Sequence, residues 1–258
     1  AAGAIDCSMS SSLDFSDAAC HAKTNWTPKS GGVMFACAQQ AAQQAGLDLR
    51  KEPDGLVLSG DGMTLRVDFL QLLPRIRADK LSRELLVRAA RIEGREHPLA
   101  IDATAGLGED SFLLAAAGFD VVLYEQDPVI AELLRDALFR AKQSAELQII
   151  ANRMTCIEGD SIQALHTLHD SPDVVVLDPM FPERTKSAAV KKKFQLLHKL
   201  ERPCSDEAAL LSAAYSAHPK KIVIKRPAKG PFLAGTKPSY SLRGKAIRYD
   251  VVVPPSFE

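Results

Sequence analysis

IDATAGLGEDSF, residues 101–112, reads as the end of an apolar strand, a turn with two glycines and the start of a helix. Glycine at 106 and 108 lets the backbone turn tightly and approach a ligand with no Cβ in the way. The same strand-then-helix grammar continues on both sides. SRELLVRAARIE (82–93) predicts a helix, LAIDAT (99–104) a strand and EDSFLLAAAG (109–118) a helix ended by Gly118. DVVLYE (120–125) is a strand, and PVIAELLRDALFRAK (128–142) a helix opened by proline. MTCIEG (154–159) and DVVVLD (173–178) are strands, the second buried on both faces by its unbroken valines. Helices near 189–200 and 206–217 follow, then strands KIVIKRP (221–227) and AIRYDVVVP (246–254). The alternation predicts an α/β, doubly wound, mostly parallel Rossmann-like sheet covered on both faces, with a late strand pair adding an antiparallel edge.

Upstream, FACAQQAAQQAG (35–46) predicts a helix ended by Gly46, and DGLVLSGDGMTLRVDF (54–69) a β-hairpin about a Ser-Gly-Asp-Gly turn. These form an expected N-terminal module over 1–78, with the larger domain over 79–258. The boundary falls in QLLPRIRADK (71–80), where Pro74 interrupts any continuous element. The structure of residues 1–34 is left open.

The totals of this 258-residue chain, 46% hydrophobic and 25% charged, are those of a soluble globular protein. No apolar run reaches membrane-helix length, and the opening AAGAIDCSMSSSLDF shows no secretory signal and no initiating Met. The five scattered cysteines contain no C-x-x-C pair, a pattern that suits reduced thiols in a cytoplasmic protein. Zero net charge hides segregation: residues 184–249 hold 16 Lys+Arg against three Asp+Glu, and the remainder holds 16 against 29. That asymmetry points to a basic face for a polyanion beside an acidic body, or to two solvated surfaces of opposite sign.

Which ligand suits the glycine turn is decided by charge. A dinucleotide fingerprint needs glycine where Ser111 stands, and Glu109 and Asp110 would repel a pyrophosphate at the helix start. Carboxylates there suit a ligand with an ammonium and a second positive centre, as in S-adenosylmethionine; they also simply favour a first helical turn. Glu125 ends the second strand 17 residues after Gly108, the place for an acid that accepts ribose hydroxyls. Asp160, in EGDS (158–161), could accept from an adenine amine or cap the following helix. Acids at Asp102 to Asp110, at Glu125 and at Asp160 thus mark three strand ends in order.

The fourth strand ends in Asp178, followed by Pro-Met-Phe-Pro (179–182). An exocyclic amine on an aromatic base is a poor nucleophile because its lone pair is spread into the ring. A carboxylate and a backbone carbonyl accepting its N–H bonds would aim that lone pair at a methyl group, and Asp178 could take the released proton. Phe181 offers a stacking face, and Pro179 and Pro182 stiffen the loop. An ordinary strand-end turn with a buried Phe is the plainer alternative.

DATAGLGEDSF, YEQDP and LDPMFPERTKSAAVKKK together resemble the bacterial 16S ribosomal RNA guanine-N2 methyltransferases that modify guanosine 1516. The resemblance covers about residues 98–253. It implies a class I fold with a seven-stranded methyltransferase sheet, S-adenosylmethionine as cofactor and S-adenosylhomocysteine as product. It places cofactor contacts on Glu109 and Asp110, Glu125 and Gln126, Asp160 and Ser161, and Asp178. This chain departs from the family pattern at Glu109 and at Gly159-Asp160, while LDPMFP is the most specific piece of the match, since most amine methyltransferases carry a second proline where Met180 stands. The implied partner is 16S RNA or the small ribosomal subunit, with no membrane. Arg184, Lys186, Lys191, Lys192, Lys193, Lys225 and Arg226 are expected to hold phosphates, though Lys225 and Arg226 could instead pair with nearby acids. His166 and His169 lack a third ligand motif, so no metal is expected. Competing readings are an amine methyltransferase for another base or a protein amide, a Rossmann oxidoreductase, and a non-catalytic RNA-binding assembly factor.

Overall fold

A computed structural model describes residues 32–179, 192–200 and 206–255. Ten helices are labelled among them: α1 (Gly32–Gln44), α2 (Leu73–Ile76), α3 (Ala78–Leu81), α4 (Leu85–Ala90), α5 (Glu109–Ala116), α6 (Pro128–Gln143), α7 (Gln148–Ala151), α8 (Ser161–His166), α9 (Lys192–Leu197) and α10 (Glu207–Ser216). The strands are β1 (Asp48–Glu52), β2 (Gly55–Gly60), β3 (Met63–Leu65), β4 (Leu99–Asp102), β5 (Asp120–Glu125), β6 (Met154–Glu158), β7 (Val174–Leu177), β8 (Lys221–Pro227), β9 (Tyr240–Arg243) and β10 (Ile247–Val252).

Strands β4 to β10 form one seven-stranded sheet in the order β6-β5-β4-β7-β8-β10-β9. The first five of that order are parallel, and β10 runs antiparallel to both of its neighbours. This is the expected doubly wound, mostly parallel sheet. Its unbroken apolar strands follow from burial on two faces. Val174 and Val176 of β7 enter one hydrophobic cluster and Val175 and Leu177 the other; Val223 of β8 parts from Ile222 and Ile224 in the same way. Helices α4, α5 and α6 cover the first face, α8 and α10 the second. The chain leaves β4 toward β5 and β6, then returns to β7 on the other side of β4. The crevice beyond the carboxyl ends of β4 and β7 is therefore the switch point where such sheets bind ligands.

One predicted helix is much shorter than drawn from sequence: 82–93 contracts to α4, because the chain leaves helical geometry at Arg91. The hairpin is present as β2 and β3, and β1 adds a third strand that the polar run DLRKE concealed. β9 was also hidden; YSLR carries no buried residue to give it an apolar signature.

The N-terminal elements share the first hydrophobic cluster with the large sheet, through residues such as Ala38, Leu58, Phe69, Phe112 and Leu134. Phe69 stacks on Phe112 of α5 with ring centroids 4.9 Å apart. Polar contacts reinforce the junction. Leu56 N donates to Asp136 Oδ2 at 3.0 Å, and Arg140 bridges Asp136 (2.8 Å) to the carbonyl of Val67 (2.6 Å). Pro74, expected as an interruption, sits in the first turn of α2 where its missing N–H costs nothing. Asp136→Ala leaves the buried Leu56 N–H without its acceptor and the Arg140 guanidinium with only the Val67 carbonyl. Its expected cost is on the order of 2–3 kcal/mol, read as a lower urea midpoint at unchanged slope; a loss below about 0.5 kcal/mol would show the junction to be unimportant.

Candidate active site

The glycine turn after β4 opens into a cavity of about 720 Å³ at the switch point. Its walls include Asp102 and Gly106 from the first strand and turn, Glu109 and Asp110 from α5, and Glu125 and Gln126 from the end of β5. Asp160, Ser161, Asp178 and Pro179 complete the predicted set. Nine cofactor-site residues predicted from sequence thus meet in one place. Gly108 is the exception: its φ of +73° requires glycine, and a Cβ there would lie 2.7 Å from Leu134 Cδ1. Gly108 is therefore a packing glycine, whereas a Cβ on Gly106 would meet nothing within 4 Å. Phe181, Arg184, Lys186 and Lys191 lie outside the described residues, as do the side chains of Lys192 and Lys193.

Ser111, which breaks the dinucleotide pattern, has a task of its own. Its hydroxyl donates to Asp102 Oδ2 at 2.6 Å, while the N–H of Thr104 donates to Oδ1 at 3.1 Å. Burial pushes the Asp102 carboxyl up to about 6, and the Ser111 and Thr104 bonds only partly offset it. Glu125 accepts from Gly106 N and Asp127 N, both at 2.9 Å, so this acid also pins the glycine turn against β5. Asp160 caps α8 by accepting from Ile162 N at 2.8 Å. The helix-cap reading of Asp160 is thus borne out, and the residue also lines the cavity.

Asp178 follows β7, with its N–H donated to Thr104 Oγ1 at 2.6 Å. Lys225 of β8 reaches Asp178 Oδ2 at 2.9 Å and Asp110 Oδ2 at 2.8 Å. Burial raises the Asp178 carboxyl, and the Lys225 ammonium works against that rise. For Lys225 itself, burial disfavours the charge, but Asp110 and Asp178 outweigh it and the ammonium is held more firmly than usual. Arg226, expected at a phosphate, points the other way. Its side chain is buried, with Nε on the carbonyl of Pro231 at 2.9 Å and Nη1 on Glu207 at 3.2 Å. Its antiparallel partner Arg248 is likewise buried, bound to Asp250 and to the carbonyls of Pro227 and Gly230. These two cations knit the 227–231 loop to the sheet; for Arg226 the alternative of pairing with a nearby acid holds, and this corrects its expected place at a phosphate.

Of the lining residues the sequence reading did not single out, Arg75 and Tyr124 bear most on the site. Arg75 of α2 enters the cavity wall with its guanidinium clamped on Glu84 at 2.9 and 3.0 Å. Tyr124 of β5 brings a buried hydroxyl that finds no partner among the described residues. Nothing in the sequence flags a cation 31 residues before Gly106. Tyr124 stands beside Glu125 in an apolar strand and reads as core.

A ligand with a cationic end and a polar heterocycle fits such a pocket: carboxylates await the cation, Gly106 leaves room for close approach, and Tyr124 OH has no partner among the described residues. Fold and pocket together define a class I methyltransferase that uses S-adenosylmethionine. A family model described as "Putative SAM-dependent methyltransferase" matches residues 35–254. "Ribosomal RNA small subunit methyltransferase J" of a serogroup C Neisseria meningitidis strain is 43% identical over 202 residues, covering 77% of this chain and 80% of that protein. The protein of the same name from Stutzerimonas stutzeri is 43% identical over 190 residues, 72% of this chain and 74% of its own. A crystal structure of a SAM-dependent methyltransferase from Neisseria gonorrhoeae aligns with a TM-score of 0.67 at 36% identity, covering 83% of this chain and 85% of that one. The chain belongs to this family of SAM-dependent methyltransferases.

The buried Asp102 gives a pH test. In the folded chain it takes its proton near pH 6, against about 4 when unfolded. A raised carboxyl binds more protons folded than unfolded between those values, so its contribution to stability falls as pH rises through them. Asp102→Asn lacks that loss. Relative to the parent its stability is expected to rise by on the order of 3 kcal/mol between pH 4 and pH 7.5 in urea titrations. A pH-independent difference would contradict the burial argument.

Proposed function

We propose that this enzyme transfers a methyl group to the exocyclic N2 amine of a guanosine in small-subunit ribosomal RNA, the position numbered 1516 in 16S RNA. The observation that carries the reading is Asp178, an acceptor at the end of β7 that opens onto the same cavity as Glu109, Asp110 and Glu125. The names of the relatives supply the RNA class, and the Asp-Pro-Met-Phe loop supplies the amine chemistry.

When bound, the cofactor supplies a methyl group activated on a sulfonium sulfur. Asp110 and Glu109 would hold its ammonium, Arg75 its carboxylate, Glu125 and Gln126 the ribose, and Asp160 and Ser161 the adenine edge. Asp178 accepts an N–H of the guanine amine, turns the lone pair toward the methyl carbon, and takes the proton released once nitrogen is methylated. Pro179 and Phe181 shape the acceptor side. Arg184, Lys186, Lys191, Lys192 and Lys193 hold phosphates, and a paired guanine is flipped out at a cost of a few kcal/mol.

Labelled methyl from S-adenosylmethionine is expected to enter undermethylated small-subunit particles, and digestion with mass spectrometry should return N2-methylguanosine. Asp178→Ala is expected to lower the rate by about 100-fold or more with cofactor affinity nearly kept. Label in another nucleoside, or in protein alone, would refute the substrate; an active Asp178→Ala would refute the clamp.

A further inference from the structure

We infer that Lys225 is a positioning residue for this reaction, tying the cofactor side of the pocket to the acceptor side, and is not one of the phosphate contacts. The inference rests on the role given to Asp178 above. The sheet dictates the placement. Leu177 of β7 pairs with Ile224 of β8, so Lys225 stands level with Asp178 on the next strand. Asp110 comes from the first turn of α5, and the one ammonium bonds both carboxylates at 2.8 and 2.9 Å.

The surroundings show why a cation is needed there. Burial, and then repulsion from Asp110 and Asp178, raises the Asp102 carboxyl, and burial with repulsion from Asp110 raises Asp178, in a wall that is partly closed to water. Tyr249 of β10 flanks Lys225 as its ladder partner and adds no positive charge. Arg226, the other cation that acts on Asp178, is committed to Glu207 and Pro231. A phosphate contact would need the ammonium to leave two carboxylates, and its side chain is only 25% exposed. Lys225 therefore fixes the direction of the Asp178 oxygens and keeps them ionised, the form that can accept an amine N–H.

Lys225→Met separates positioning from phosphate binding. With undermethylated small-subunit particles and saturating S-adenosylmethionine, the single-turnover rate is expected to fall about 100-fold. The acidic limb of its pH profile should move up by about one unit or more, because a carboxyl without its cation protonates at higher pH. RNA affinity and its salt slope should stay unchanged. Weaker RNA binding with the slope reduced by about 0.7, and an unmoved acidic limb, would overturn the inference in favour of a phosphate contact. An unmoved limb at any rate would equally overturn it. If Lys225→Met does not fold, Lys225→Arg decides: charge is kept but placement is not, so a roughly tenfold slower rate with the limb in place supports positioning, and a full rate refutes it. Activity in Asp178→Ala would remove the reading of Asp178; a dead Asp178→Ala with an unmoved Lys225→Met profile removes only the present inference.

Discussion

The parallel pairing of β4 with β7 governs everything at the site. Ala100, Ile101 and Asp102 lie beside Val174, Val175 and Val176, and Ala103 N continues the ladder to the carbonyl of Val176. That register carries the glycine turn and Asp178 out of the sheet at the same level. Thr104 then holds the Asp178 backbone directly. A slip of one residue would turn every side chain of β7 to the opposite face and draw Asp178 away from the pocket. At the other end of the strands Asp173 guards the same alignment. It is buried, accepts from Leu99 N at 2.8 Å, and pairs with Arg95 and Lys220. The valines give the pairing its stability, and polar locks at both ends give it a single register.

Electrostatics shape the pocket that this register creates. Carboxylates converge from β4, α5, β5 and β7, with Lys225 bonded to two of them. Burying a carboxylate beside others in this cleft costs stability: burial first, then repulsion from Asp110 and Asp178, raises the Asp102 carboxyl. The same excess of negative charge is what a cationic cofactor meets on entry. Function and stability are opposed at Asp102, and the Ser111 hydroxyl offsets part of the cost without removing the charge.

Much of this was legible in the sequence because both the fold and the site are written in strand-end punctuation. The valine runs, the Gly106 turn, the proline opening α6 and the acids at Asp110, Glu125 and Asp160 each sit where a local rule puts them. What escaped has a physical cause in each case. β1 and β9 are edge strands with few or no buried side chains, so they lack an apolar pattern. Arg226 and Arg248 were counted with a basic face because composition gives each arginine the same weight; only burial against Glu207, Asp250 and loop carbonyls shows that they are structural. Arg75 reaches the pocket from an element outside the strand–helix repeat, and Gly108 differs from Gly106 through Leu134, a contact across the chain. Long-range packing, unlike local punctuation, leaves no mark at fixed spacing.

A crystal structure with S-adenosylhomocysteine tests the central claim most directly, since it locates the sulfur relative to the acceptor loop. The account predicts the sulfur facing the Asp178–Pro179 segment, the amino group on Asp110, the carboxylate toward Arg75 and the ribose hydroxyls on Glu125. A product bound with its sulfur turned away from Asp178, or seated outside the β4–β7 crevice, would contradict it.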